Sequence, residues 1–398
     1  MNNLSALLYY EMKKIVSQRS AQMLIAAIIL ATLFINCRDL LGTTKIRYLD
    51  DAGQIVTEEV SIFSAVQMER KYARMYSGQP LDDELIGEMK GFVQEHGYDC
   101  MNMYWIYHTI YKLGLNPEGD LASEEGIAGQ LKAQQKYAWN SLSLTDHEID
   151  VWEEETEKIE LPLRIAYTRG YTNMIENAHW LNMMLVFFII IILCDSFSKD
   201  RQVHTRSLIQ SSRNGYGSGV YGRILAGVIV TLAVAICVYL LSAIIQFGIH
   251  GCDGWSVPIQ QVCSDLVYSS LSISAGHAML LMYGTSIVLL LMVAALTMML
   301  SQLFQNAVVT LAIPFVLLFL SMVFDLGIFH RDRDLSQIWR YFPIQRIDVD
   351  MLCDHRLVHI FGISVKSMPF SFILYSCMII TAIIICITQA KVTKLDKQ

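Results

Sequence analysis

Residues 224–247 read ILAGVIVTLAVAICVYLLSAIIQF, and no aspartate, glutamate, lysine or arginine interrupts them. A helix needs about 20 mainly apolar residues to cross the hydrocarbon core of a bilayer. Five other segments share this apolar and uncharged character: 21–37, 178–194, 278–300, 307–324 and 370–390. The pattern predicts an all-α polytopic membrane protein with six transmembrane helices, of which spans three to five lie within residues 224–328.

The composition of the chain favours the same fold class. Its 398 residues are 54% hydrophobic and 17% charged, with a mean hydropathy of +0.39. Soluble domains have about 45 to 50% apolar and about 25% charged residues, so a purely soluble globule is not expected. Segment 21–37 is interpreted as an uncleaved span, because Arg38 and Asp39 follow it where a signal-peptide cleavage site needs small residues.

The distribution of charge predicts the topology. Six spans place both termini on one side, and the segments on that side (1–20, 195–223 and the tail 391–398) carry eleven lysines and arginines against four acidic residues. Because basic residues in short loops mark the cytoplasmic side, both termini are predicted to be cytoplasmic in a multi-pass plasma-membrane protein. Residues 38–177 carry 13 basic and 25 acidic residues and are placed outside. The outer loop 329–369 is basic in part, but five aspartates interleave with its six basic residues.

Residues 38–177 are predicted to form a mostly helical extracytoplasmic domain. Helices are expected over 59–76 and 82–96, and Thr145 with Glu148 has the spacing of a capping box at the start of an acidic helix that breaks near Pro162. The candidate core consists of aromatic residues: Tyr104, Trp105, Tyr107, Tyr111, Trp139 and Trp152.

Two features of the flanking segments leave alternatives open. Apolar residues at helical spacing in 1–20 predict an amphipathic helix, which either lies in the inner membrane interface or simply extends span one. In the short outer connection before span four, Cys252 and Cys263 could form a disulfide, but their spacing does not decide it.

The chain carries no recognisable catalytic or metal site. The phosphate-binding pattern G-x-x-x-x-G-K-[ST] does not occur, so any ATP and magnesium would be bound by another subunit, and no cofactor is expected in this chain. Cys353, His355 and His359 lack a fourth zinc ligand. No aspartate, glutamate, lysine or arginine lies inside the predicted spans, which argues against an ion-coupled carrier.

Uncharged polar residues do occur within the spans. They either line a path for an amphipathic substrate or hydrogen-bond between helices. The candidates are Thr231, Ser242, Gln246, Tyr283, Thr285 and Ser286.

The inner loop 195–223 resembles the corresponding loop of type-2 ABC exporter permeases. The residues that match in kind are Asp200, Thr205, Leu208, Ser211, Arg213, Gly222 and Arg223, and the short segment 301–307 is similar to the tight turn of that family between spans four and five. The long domain after span one is similar to that of sodium-efflux and peptide-efflux permeases.

The resemblance implies a mechanism and partners. A second permease copy, identical or related, would complete the pathway, and a cytosolic ABC ATPase dimer would drive it. A coupling helix would contact the ATPase through Thr205, Arg206, Leu208, Ile209, Ser211 and Arg213. The basic inner face also suits anionic membrane lipid, and no nucleic-acid partner is expected.

The expected function is therefore that of a non-enzymatic permease subunit in an ATP-driven exporter, which moves a peptide, a lipid-like or drug-like molecule, or an ion out of the cell. The alternative is a membrane-anchored sensor or assembly protein whose outer domain binds a ligand.

Overall fold

The computed structural model describes residues 2–113, 126–142, 144–202, 218–304, 306–324, 340–346, 349–360 and 363–395. Helices dominate these residues. In chain order they are α1 (Asn2–Val16), α2 (Arg19–Cys37), α3 (Ile62–Met75), α4 (Asp83–His96), α5 (Met101–Lys112), α6 (Gly126–Ser141), α7 (Asp146–Thr156), α8 (Arg169–Leu193), α9 (Asp195–Gln202), α10 (Ser218–His250), α11 (Ala275–Leu303), α12 (Ala307–Phe324) and α13 (Ser367–Leu395). Short 3-10 helices also occur in several connections.

Within the described residues, five segments are helical, long and apolar enough to cross a membrane: Arg19–Leu40, Arg169–Ser198, Gly219–His250, Ala275–Leu303 and Ser367–Ala390. The chain is thus a mostly helical, multi-pass membrane protein. Predicted span five, residues 307–324, forms helix α12, which contains Pro314 and whose apolar stretch Ala307–Leu318 is shorter than those five segments.

Helices α8 and α11 form the centre of the bundle. In each of them 61% of the apolar window is buried, against 33% in α10 and 22% in α2 and α13. Helices α2, α10 and α13, at the periphery of the bundle, leave large apolar side chains such as Phe34, Ile244 and Ile380 exposed. This difference separates a packed interior from faces that suit contact with lipid or with another membrane helix.

The helix that contains predicted span two is longer than the span. The span is predicted to start at residue 178, and α8 begins at Arg169 and includes Glu176. Its 25 residues and the 33 of α10 correspond to about 38 and 50 Å, more than the roughly 30 Å of a bilayer core. The extra turns of α8 allow Arg169 and Glu176 to lie outside the hydrocarbon core of the bilayer.

Residues 41–168, here called the large loop, pack against the start of α8 and the end of α10. Its helices follow local signals: Ser61, Asp82 and Thr145 each cap a helix by accepting a backbone N–H three residues on. The capping box of Thr145 and Glu148 is confirmed, and the helix that it starts ends before the cis Leu161–Pro162 bond. Trp105, Trp139 and Trp152 are buried, whereas Tyr111 is exposed, since it turns away from the buried face formed by Trp105 and its neighbours.

The large loop is not wholly helical. Strands β1 (Thr43–Leu49) and β2 (Ile55–Ser61) form an antiparallel hairpin, so residues 59–61 of the predicted helix 59–76 belong to a strand. The first three residues of β2, Ile55, Val56 and Thr57, are all β-branched, which favours this extended conformation. A second hairpin joins β3 (Leu357–Ile360) to β4 (Ile363–Lys366).

The segment before α13 packs on the large loop. The Nε1–H of Trp152 donates to the carbonyl of His355, and the Nζ of Lys366 lies 2.7 Å from Glu155 Oε2. Arg340 and Arg346 both pair with Asp354, so this carboxylate offsets part of the positive charge that weighs against an outer placement of this segment.

Candidate functional site

The predicted coupling residues Thr205, Arg206, Leu208, Ile209, Ser211 and Arg213 lie outside the described residues. The structure does describe the two ends between which they lie, namely α9 and the start of α10.

The first of these ends is fixed by Ser301. Its hydroxyl donates to the carbonyl of Cys194 (2.7 Å) and accepts the backbone N–H groups of Phe197 (3.0 Å) and Ser198 (3.1 Å). One buried side chain near the end of α11 thereby holds the junction between α8 and α9. Residues 301–303 of the predicted tight turn belong to α11, and α12 begins at Ala307.

The second end is fixed by Arg223, near the start of α10. Its Nε atom lies 3.1 Å from Glu11 Oε1 in α1, and its guanidinium lies 5.5 Å from the centre of the Phe197 ring. Both ends of the segment that contains the predicted coupling residues are therefore attached to the helical bundle.

The six candidate pathway residues are all buried. Thr231, Thr285 and Ser286 donate to backbone carbonyls one turn earlier in their own helices, at 2.8 to 2.9 Å. Tyr283 donates to the carbonyl of Met174 (2.9 Å). In this state these hydroxyls are engaged inside the chain, and their role in a pathway stays a prediction.

Ser242 and Gln246 meet at Asn36, which the sequence analysis did not single out. Ser242 Oγ donates to Asn36 Oδ1 (2.8 Å), and Gln246 Nε2 donates to the same oxygen (3.0 Å). Asn173 Nδ2 in turn donates to Gln246 Oε1 (3.0 Å) and lies 3.1 Å from His250 Nε2. This network joins α2, α8 and α10.

A second amide joins the helices at Asn182. Its Nδ2 donates to Ser286 Oγ (2.8 Å), and its Oδ1 accepts the hydroxyl of Tyr239. Amides within an apolar helix are the signal that could have identified both positions, because a buried amide needs several partners and tends to bind neighbouring helices.

An apolar groove of about 370 Å³ opens between α11, α12 and α13. Its walls include Ile190, Leu296, Pro314, Leu317, Leu374 and Met378, and one end is formed by Tyr341 to Pro343. Thr297 contributes a hydroxyl that already donates to the carbonyl of Val293 (2.8 Å). Such a surface can take an acyl chain or the apolar part of an amphipathic molecule.

Charged residues attach α3 of the large loop to the ends of α8 and α10. Glu69 pairs with Arg169, and Arg74 Nη2 lies 2.7 Å from Asp253 Oδ2. Burial raises the pKa of Glu69 above its ordinary value, although Arg169 opposes the shift. Burial also lowers the pKa of Lys112. This cluster can hold the large loop on the bundle electrostatically.

The histidines that were weighed as zinc ligands lie in different settings. His355 is buried, with Nε2 3.0 Å from Ser270 Oγ, whereas His359 is exposed and bonded to Ser364. Within the part of the chain that the structure describes, no group of three or more His, Cys, Asp or Glu side chains could hold a metal ion. Cys252 and Cys263 are both free thiols.

The sequence matches no protein-family model and no curated protein. The resemblance to exporter permeases therefore rests on the segments quoted above.

Proposed function

We propose that this chain is the transmembrane subunit of an ATP-driven ABC exporter in the plasma membrane. In this proposal six spans place both termini in the cytoplasm, α12 is the fifth span, and the large loop is an extracytoplasmic domain. A separate cytosolic ATPase dimer supplies ATP and magnesium, and a second permease copy completes the pathway.

The observation that carries the proposal is the attachment of both ends of the predicted coupling segment. Ser301 holds the chain just before it, and Glu11 holds Arg223 just after it. A displacement applied to residues 203–217 by a soluble ATPase would thus be transmitted to the central helices α8 and α11, and to α10. A loop that only sets topology does not need such attachment.

The apolar groove supports a substrate with an apolar part. Residues of α11, α12 and α13 form most of its walls, and it is lined by carbon atoms and sulfur atoms of methionine along most of its length. This favours a lipid-like or drug-like molecule, or a hydrophobic peptide, over a bare ion, which would need polar ligands.

Purification of the tagged protein from membranes in mild detergent tests the proposal. We expect a near-stoichiometric ATPase with vanadate-sensitive turnover to copurify. Replacement of both Arg206 and Leu208 (Arg206→Glu with Leu208→Asp) should reduce the copurified ATPase at least about tenfold, because charge pairing and apolar contact are both lost. The control is Lys13→Ala, which removes an exposed basic residue of α1.

Full ATPase recovery with the double variant would refute the coupling assignment. A well-folded wild-type protein that purifies alone, and that does not crosslink to an ATPase through cysteines placed at residues 205–213, would favour the sensor or assembly protein.

A further inference from the structure

In the part of the chain that the structure describes, the hairpin of β1 and β2 has one edge that no other strand pairs with. Hydrogen-bonded pairs alternate along an antiparallel hairpin. The backbone bonds Asp50 N–H to Gln54 O and Ile62 N–H to Gly42 O fix this alternation at the two ends of the ladder. The backbone groups of the alternate residues of β2, Ile55, Thr57 and Glu59, therefore point away from β1.

The opposite edge, on β1, is covered by the start of α5. The backbone of Arg47 forms an isolated parallel β-bridge with that of Cys100, and the backbone N–H of Leu49 donates to Asn102 Oδ1 (2.9 Å). For β2, by contrast, β1 is the one pairing partner among the described residues, and Ile55, Thr57 and Glu59 are all exposed.

An uncovered strand edge is a template for another extended chain. Natural edges are commonly protected by proline, by charged side chains, especially lysine, or by a bulge. Strand β2 contains no proline and no lysine, its charged residues are both acidic, and it pairs with β1 residue for residue from Ile55 to Ser61. The edge is consequently long and regular enough to take a partner strand.

The charges around this edge select the partner. Glu58 and Glu59 are exposed on β2, and Asp50 and Asp51 lie in the turn. Of the two basic residues on β1, Arg47 is already paired with Asp99 at 2.6 Å, which leaves Lys45. The hairpin thus presents a net negative surface beside the uncovered edge of β2.

We propose that the β2 edge binds an extended basic peptide, which adds to the hairpin as a third strand. The backbone of the peptide pairs with Ile55, Thr57 and Glu59, and its cationic side chains lie against the acidic residues of the hairpin. Pairing with β2 of a second copy is disfavoured, since it would bring four glutamates of two edges close together. This inference does not depend on the transport proposal.

The probe is a dye-labelled, capped heptapeptide with alternating valine and threonine and a lysine at each end. Its matched partner has glutamates in place of the lysines. Binding is measured by fluorescence anisotropy to the full-length protein in nanodiscs of phosphatidylcholine, a neutral lipid that does not itself attract the basic peptide. We expect saturable binding of the lysine peptide, at least about tenfold tighter than that of the glutamate peptide.

Two variants at Thr57 distinguish the contribution of the backbone to peptide binding from that of the side chain. Thr57→Pro removes an outward N–H without removing a bond to β1, and should weaken binding at least about tenfold. Thr57→Val keeps that N–H and should bind as the unaltered protein does. A double variant, Glu58→Lys with Glu59→Lys, should invert the preference between the two peptides.

Equal binding to Thr57→Pro and Thr57→Val would overturn the proposal, as would the absence of saturable binding to the unaltered protein. A dimer of the unaltered protein that dissociates in Thr57→Pro would overturn it in favour of a second copy at this edge.

Discussion

The Nε atom of Arg223 lies 3.1 Å from Oε1 of Glu11, so the first helix of the chain is bound to the start of α10. Both side chains are more than four-fifths buried. Next to Arg223, a Cβ atom added to Gly222 would lie 2.5 Å from Leu7 Cδ2, which shows how closely α1 approaches α10 at this point. Helix α1 is thus part of the bundle, and it also lies beside the segment proposed to contact an ATPase.

Replacement of Glu11 by glutamine should loosen this contact. A hydrogen bond to a charged group contributes about 1.5 to 3 kcal/mol, and the variant leaves the guanidinium of Arg223 without its carboxylate. We expect a lower thermal unfolding midpoint in detergent and faster proteolysis within α1. Lys13→Gln, at an exposed position two residues on, is the control and should leave both measurements unchanged. The same result for both variants would show that the pair does not stabilise α1.

Asp354 should be far more sensitive to substitution than surface carboxylates. It lies 2.6 Å from Arg340 and 2.8 Å from Arg346, and the Arg346 side chain is 3% exposed. Burial alone would raise the pKa of Asp354, but the two guanidiniums outweigh it and hold the pKa below its ordinary value. Removing one partner of a buried ion pair typically costs about 3 to 5 kcal/mol.

Asp354→Asn should therefore lower the free energy of unfolding strongly at pH 7. Since the pKa of the folded state is lowered, the stabilisation should persist at neutral pH and fade only as the pH falls below about 4, the ordinary range of an aspartate. Glu88 is exposed, so Glu88→Gln is the control, and its free energy of unfolding should change by no more than about 0.5 kcal/mol. Equal unfolding midpoints for the two variants would contradict the prediction.

His355 should make the protein less stable in mild acid. Burial lowers the pKa of His355 from 6.5 to about 4, against the opposing effect of Asp354, and the Trp139 and Trp152 rings lie beside it. Its Nε2 accepts the backbone N–H of Ser270 (3.3 Å), a bond that protonation of Nε2 would break. Between pH 6.5 and 4 the unfolded chain binds a proton that the folded chain does not, so stability falls as the pH falls, by about 3 kcal/mol in total.

The measurement is chemical denaturation over this pH range. His355→Gln should remove the contribution of this residue to the pH dependence of the free energy of unfolding, whatever the effect of the substitution on stability at pH 7. His359→Gln changes the exposed histidine on β3 and should leave the slope as it is in the unaltered protein. An unchanged slope in His355→Gln would refute the assignment.

The parts of the fold that the sequence predicted correctly are those set by local patterns. The spacing of Thr145 and Glu148 identified the start of α7, because a capping box involves atoms only three residues apart. The other carboxylate oxygen of Glu148 accepts the N–H of Leu357 (2.9 Å), and this bond depends on how distant segments pack. No local pattern contains that information.

The same distinction explains what was missed in the candidate site. A polar residue in a span is visible in the sequence, but its partner depends on the rotation of two helices, so Ser242 was found while its acceptor Asn36 was not. The β1–β2 hairpin was missed because Glu59 was counted as a helix former at the start of a helix that begins only at Ile62. Helix α8 begins before the predicted start of span two because a search for uncharged segments stops at Glu176, whereas a helix can continue through charged residues.

The apolar groove gives a direct test of where a substrate would bind. Leu374 lines the groove, whereas Ile373, its neighbour on α13, is 57% exposed and does not line it. Leu374→Trp should fill part of the 370 Å³ and reduce the stimulation of ATP turnover by amphipathic compounds in the copurified complex at least about fivefold, since an occupied pocket loses the contacts that favour an apolar ligand. Ile373→Trp adds the same bulk on another face and should leave the stimulation intact. Comparable basal turnover in both variants would show that each is folded and coupled, and equal stimulation would then place the substrate outside this groove.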